Sequence, residues 1–136
     1  MCIRDRAQAA ARLMVGAEGG VIVNMSSQMG HVGSERNRTA YVMTKHALEG
    51  LTKAMAVELA PQGVRVVSIA PTFVATPLTK PFLDDPDTRK WIVDRIPLGR
   101  VGTVEEVANA VVFLASPAAG LVTGSSLLAD GGWTAW

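Results

Sequence analysis

Two short runs of β-branched and apolar residues, Val21–Met25 (VIVNM) and Val64–Ile69 (VRVVSI), bracket a long stretch of helical periodicity, and this spacing constrains the fold most. Neither run alternates apolar with polar residues. Strands of that kind belong to a parallel sheet covered on both faces. Parallel neighbours need a long crossover between them, and a helix supplies it. Thr39 is placed to cap that helix, which should run to about Ala60 and stop at Pro61 and Gly63. Met43, Ala47, Leu48, Leu51, Met55 and Leu59 recur along it at helical spacing as its apolar stripe.

The flanking segments fit the same plan. Ala7–Val15 reads as the end of a helix closed by the Gly16–Gly20 region, and Ser26 to about Arg38 reads as a polar loop. Ala70–Pro77 holds two prolines and should not continue the second strand. Residues 78–100 read as a loop with one short helix around Asp87–Arg95. Thr103 caps a further helix, with Glu105 and Glu106 in its first turn, that ends near Ser116–Pro117. Ser125–Ala129 is a last short strand, closed by Asp130, Gly131 and Gly132. The fold class is therefore α/β, with about three parallel strands and flanking helices. Three strands are few for such a sheet, and the first would leave a bare edge, so a further part of the sheet is expected upstream.

Composition excludes several functions. Apolar residues make up 49% of the chain and charged residues 18%, which argues against disorder. A formal net charge of +1 offers no electrostatic case for nucleic acid or an anionic membrane. No apolar run is long enough to span a bilayer. The single cysteine, Cys2, rules out an intramolecular disulfide and a multi-cysteine metal site, so the default compartment is the cytoplasm. Met1–Arg6 (MCIRDR) has no hydrophobic region behind it and is no secretory signal. It reads as a foreign or mis-joined start, leaving residues 7–136 as the domain.

Tyr41 and Lys45, four apart at the start of the long helix, project from one face. A free phenol ionises near pH 10, too high for a base at neutral pH, but a nearby ammonium stabilises a phenolate. Ser27 or Ser26, at the end of the preceding strand, would meet the pair at the carboxyl end of the sheet, where ligands of open α/β sheets bind. Such a group suits proton exchange with a hydroxyl or carbonyl oxygen. The spacing alone is more often that of a half-buried tyrosine beside a solvated lysine.

The strings VIVNMSSQMG, YVMTKHALEGLTKAMAVELAPQGVRVVSIAP, PLGRVGTVEEVANAVVFLAS and GSSLLADGG closely resemble, in that order, the classical short-chain dehydrogenase/reductase family. The resemblance covers about residues 7–132. It implies the C-terminal half of a Rossmann-like, doubly wound parallel sheet, and an oxidoreductase interconverting an alcohol and a ketone or aldehyde with NAD or NADP. On this resemblance Tyr41 is the catalytic acid/base, Lys45 supports it and bonds the nicotinamide ribose, and Ser27 holds the substrate oxygen, with Ser26 a lesser alternative. Pro71–Thr76 (PTFVAT) matches the family's PGxxxT segment, making Pro71, the Val74 backbone and Thr76 cofactor contacts. Thr72 departs from the usual glycine. His31 and Phe73 are candidate substrate contacts, though a loop histidine is often only solvated. Arg36 and Arg38 read as surface charges. Leu78, Phe82 and Trp91 suit either an apolar substrate lid or core packing, and Trp133 and Trp136 a neighbouring subunit. Ala47, Gly50 and Ala54 would permit the close helix approach of a homodimer or homotetramer. No metal site is implied.

Two family features have no match in this sequence. The glycine-rich TGxxxGxG turn that receives the pyrophosphate is missing, and so is the NAG segment. By pattern the chain starts inside the family's fourth helix, so it reads as a fragment with little or no activity of its own. Two alternatives stand beside this reading. One is the extended branch of the superfamily, the sugar-nucleotide epimerases and dehydratases, although the chain stops just after its last strand. The other is a truncated, non-catalytic homologue that keeps only oligomer contacts.

Overall fold

The computed structural model describes residues 3–136; Cys2 lies outside the described residues. Three strands, β1 (Gly20–Met25), β2 (Val64–Pro71) and β3 (Ser126–Ala129), form one parallel sheet in the order β1-β2-β3. Helix α1 (Ile3–Val15) precedes β1, and α2 (Thr39–Leu59) is the crossover from β1 to β2. Between β2 and β3 run α3 (Lys80–Asp84), α4 (Pro86–Val93) and α5 (Val104–Ala115). The α/β class and the parallel sheet are those expected from the sequence.

The two-residue period of the strands sorts the core by face. Ile22, Val64 and Val66 pack on one side with Ala7 and Ala11 of α1 and Met55 and Ala56 of α2. Val21, Val23, Val67 and Ile69 turn to the other side, against Leu114, Val107, Ala110 and Val111 of α5. Both faces are thus covered, which is why neither strand needed polar alternation. A third cluster, Met29, Phe73, Ile92 and Ile96, closes the carboxyl end of the sheet beneath α4.

Several expected boundaries shift, each for a local reason. Helix α1 begins at Ile3, so residues 3–6 are continuous with the alanine-rich segment, and Asp5 sits in the first turn where the helix dipole favours a carboxylate. Thr39 is the first residue of α2 rather than its cap; Arg38 holds the cap position without a side-chain hydrogen bond. Strand β2 continues through Ala70 to Pro71 despite the proline. Pro71 is the last residue of the strand, and the next ladder bond is made by Thr72 N–H to the Ala129 carbonyl, so the missing donor costs nothing there. Residues 80–93 form two helices where one was expected, because Pro81 and Pro86 each occupy a first-turn position that needs no N–H donor. Thr103 does cap α5, in a reciprocal capping box with Glu106. On α2, Leu48 and Met55 are buried as predicted, whereas Met43 and Ala47 face outward. Trp133 packs inside its own chain against Phe73 and Trp91, and Trp136 is exposed.

No helix of the described residues is long and apolar enough to cross a membrane.

Candidate active site

The loop after β1 is tied down before it reaches α2. Ser26 N–H donates to the Ile69 carbonyl of β2 at 2.8 Å, extending the β1–β2 ladder by one residue. Ser27 is extended and caps a short 3-10 turn over Gln28–Gly30, its Oγ accepting from Met29 N–H at 3.2 Å. That bond uses an oxygen lone pair and leaves the hydroxyl proton of Ser27 free to donate elsewhere. Ser26 Oγ is buried without a hydrogen-bond partner and lies against Gly30, where an added Cβ would stand 3.0 Å from it.

Beneath this turn lies a buried polar network. Glu49 of α2 accepts from Ser68 Oγ of β2 at 2.7 Å and from Ser126 Oγ of β3 at 3.3 Å. His31 Nε2 stands 3.0 Å from Ser126 Oγ and 3.4 Å from Glu49 Oε1. A second buried bond, Asn24 Nδ2 to Thr52 Oγ1 at 2.9 Å, joins β1 to α2. These bonds fix the middle of α2 relative to all three strands. His31 therefore sits over β3 and is not part of the cavity wall described next.

At the carboxyl ends of β1 and β2 opens a cavity of about 370 Å³ whose wall includes Ser27, Tyr41, Lys45, Pro71, Phe73, Val74 and Thr76. Seven of the eight site residues predicted from the sequence thus share one opening; His31 is the eighth. Tyr41 is 42% exposed, enough for a ligand to reach its hydroxyl. Lys45 Nζ donates to the Met25 carbonyl at 2.9 Å and lies 5.6 Å from the Tyr41 ring centroid. The last carbonyl of β1 thereby aims the ammonium at the tyrosine.

The far wall is the segment after β2. Gly102 N–H donates to the Phe73 carbonyl, and Ala75 N–H donates to the Gly102 carbonyl, both at 2.9 Å, forming an isolated parallel bridge at Val74. In such a bridge the flanking residues use their backbone groups on the partner, so those of Val74, a residue of the cavity wall, point away from Gly102. Thr79 Oγ1 donates to the Val74 carbonyl at 2.5 Å and lies 3.0 Å from Thr76 Oγ1. Thr79 carried no signal in the sequence, because its part is to brace the two residues that did. Thr72 Oγ1 is buried and unpartnered in the same wall.

Leu78 and Phe82 line the mouth of the cavity and are exposed, as lid residues would be. Trp91 stands one layer back, 6.5 Å from the Phe73 ring, and donates from Nε1 to Glu35. Of the two arginines read as surface charges, Arg36 is exposed as expected. Its guanidinium lies 4.4 Å from the Trp91 ring centroid and donates to Thr88 Oγ1 of α4 at 3.3 Å. Arg38 is half-buried in the cavity wall itself. Sequence reading passed over it because a charged residue in a polar loop is ordinarily solvated; only the packing of Phe73 and Phe82 encloses it.

A parallel α/β sheet with helices on both faces and a serine, tyrosine and lysine gathered at its carboxyl end defines a Rossmann-like domain with its site at the usual end of the strands. The family model described as Enoyl-(Acyl carrier protein) reductase matches residues 4–134. The chain belongs to the short-chain dehydrogenase/reductase family. It is 47% identical over 116 residues to L-xylulose reductase of Bos taurus, covering 85% of this chain and 47% of that protein. Over 130 residues it is 42% identical to the L-tagatose-forming galactitol 2-dehydrogenase of Cereibacter sphaeroides, covering 95% of this chain and 51% of that one. Among solved structures, gluconate 5-dehydrogenase from Burkholderia cenocepacia J2315, in complex with NADP and tartrate, superposes with a TM-score of 0.91 at 36% identity, over 96% of this chain and 51% of that one. A 4-hydroxyisoleucine dehydrogenase complexed with NADH gives 0.92 at 35% identity, over 97% and 54%. The chain spans about half the length of the curated relatives it matches.

Proposed function

We propose that this chain is the catalytic half of an NAD(P)-dependent oxidoreductase that interconverts a secondary alcohol and its ketone. The observation that carries the reading is that Ser27, Tyr41 and Lys45 line one open cavity at the carboxyl ends of β1 and β2. Oxidation of an alcohol removes a proton from oxygen and a hydride from carbon. Tyr41 takes the proton as phenolate and returns it in the reverse direction. Lys45, aimed by the Met25 carbonyl, supplies the positive charge that favours the phenolate. Ser27 donates its free hydroxyl proton to the substrate oxygen, holding it beside Tyr41.

A nicotinamide fits this wall. Lys45 keeps further N–H donors for a ribose, and the backbone of Val74 in that wall suits a carboxamide, with Pro71 and Thr76 on either side. Bound there, NAD or NADP supplies or accepts the hydride. The pyrophosphate side has no matching glycine-rich turn in residues 1–136, so a dinucleotide-binding half is proposed to come from outside this stretch, with residues 7–136 forming the C-terminal part of the domain.

The relatives' names support a polyhydroxylated substrate, a sugar alcohol or a sugar acid, or the keto form of either. They do not favour the epimerase or the non-catalytic alternative. The outward faces of Met43, Ala47, Gly50, Ala54 and Val57 make α2 the proposed contact of a homodimer or homotetramer, and the cytoplasm is its proposed compartment.

The test is an assay of the complete protein carrying this sequence with NADH and NADPH against a panel of ketoses and sugar-derived keto acids. Turnover that depends on Tyr41 supports the proposal; no oxidation of either cofactor with any member of the panel, or turnover indifferent to Tyr41→Phe, overturns it.

A further inference from the structure

The cavity wall holds two cations, Arg38 and Lys45, and no acidic residue. Lys45 has an acceptor in the Met25 carbonyl. Arg38 has none: its Nε is buried without a hydrogen-bond partner, and none of the carboxylates described above is turned toward it. Glu35 is taken by Arg95 and Trp91, and Glu49 by Ser68, Ser126 and His31. What holds the Arg38 guanidinium is aromatic: its Cζ lies 5.5 Å from the Phe73 ring centroid and 5.7 Å from that of Phe82. Aromatic rings attract the charge but supply no oxygen acceptor for its N–H groups. A buried N–H without an acceptor is disfavoured, and a ligand oxygen relieves it.

The flat fork of arginine matches the two oxygens of a carboxylate. Its setting adds to that preference. Arg38 is the cap residue of α2, and the first intrahelical bond there, Val42 N–H to the Arg38 carbonyl, leaves the N–H groups of the preceding turn at the same end. Arg38 precedes Tyr41 by three residues, about 4.5 Å of helix rise, so one small molecule can reach both.

The geometry points to Arg38 as a specificity-determining residue that selects a hydroxycarboxylate, or the keto acid formed from it, over a neutral polyol. This rests on the dehydrogenase reading and narrows its substrate class: the carboxylate sits on Arg38 while a hydroxyl further along the same molecule meets Ser27 and Tyr41.

A direct test uses the complete protein carrying this sequence, without added cofactor, and a matched pair of probes, sodium gluconate and its neutral alcohol glucitol, at constant ionic strength. Amide chemical-shift titrations should show gluconate binding at least tenfold tighter than glucitol, with the largest shifts at Ser27 and in the first turn of α2. In Arg38→Gln the two probes should bind alike, and Arg38→Lys, which keeps the charge without the fork, should fall between. An unchanged amide spectrum outside the cavity shows that each variant folds. Equal binding of the two probes by the unmodified chain, absence of binding, or a gluconate preference that survives in Arg38→Gln overturns the inference. Because no turnover is read, failure here is separate from failure of the dehydrogenase reading, which the Tyr41→Phe assay decides.

Discussion

Lys45 Nζ bonds the last carbonyl of β1, that of Met25, at 2.9 Å. The sheet itself therefore sets where the ammonium stands relative to the Tyr41 ring one helical turn earlier. A lysine free in solvent would sample many rotamers; this one is aimed.

If Tyr41 moves the proton, Tyr41→Phe should lower turnover of the complete protein by about a thousandfold, within the usual range for a general acid or base. Tyr41 is exposed and its hydroxyl braces nothing in the fold, so far-UV circular dichroism and the urea midpoint should not change.

The Glu49 network makes a stability prediction. Ser68 is fully buried and donates to Glu49 at 2.7 Å. Ser68→Ala removes one donor from a buried carboxylate and should cost about 1–3 kcal/mol in urea unfolding. Ser126→Ala, at a longer 3.3 Å and only partly buried, should cost less. The reverse order would mean that Glu49 is held mainly from β3.

Glu106 gives a pH dependence with a definite sign. Hydrogen bonds from Arg100, then from Thr103 N–H, hold its carboxyl down to about 2 from an ordinary 4.5. A folded-state value below the unfolded one means stabilisation that is complete above about pH 4.5 and lost as pH falls toward 2. The stability difference between the native chain and Glu106→Gln should be constant from neutral pH down to about 5, then narrow. A difference that grows on acidification would contradict the ion pair.

Gly19 tests a close backbone approach. Its φ is +97°, and a Cβ there would lie 2.4 Å from the carbonyl oxygen of Gly63, the residue just before β2. Gly19→Ala should destabilise by about 2 kcal/mol or more, read as a lower urea midpoint. Gly33→Ala in the loop before α2, where nothing lies within 4 Å and φ is not positive, is the matching control and should not destabilise.

The sequence by itself determined the class of the fold and the nucleus of the site. Mostly apolar runs without polar alternation at Val21–Met25 and Val64–Ile69 have one satisfactory setting, a parallel sheet covered on both faces, and Thr103 with Glu106 marks a helix start by chemistry local to four residues. Tyr41 and Lys45 were legible because a helix puts residues four apart on one face and because the strings around them resemble a known family. Tertiary structure decided the rest, because those facts depend on residues far apart in the chain. Pro71 ends a strand only because Ala129 is there to accept from Thr72. His31 faces Glu49 and Ser126 because β3 lies beneath its loop. Arg38 left the solvent for the cavity wall because Phe73 and Phe82, more than thirty residues on, close around its guanidinium, an enclosure that no local pattern records.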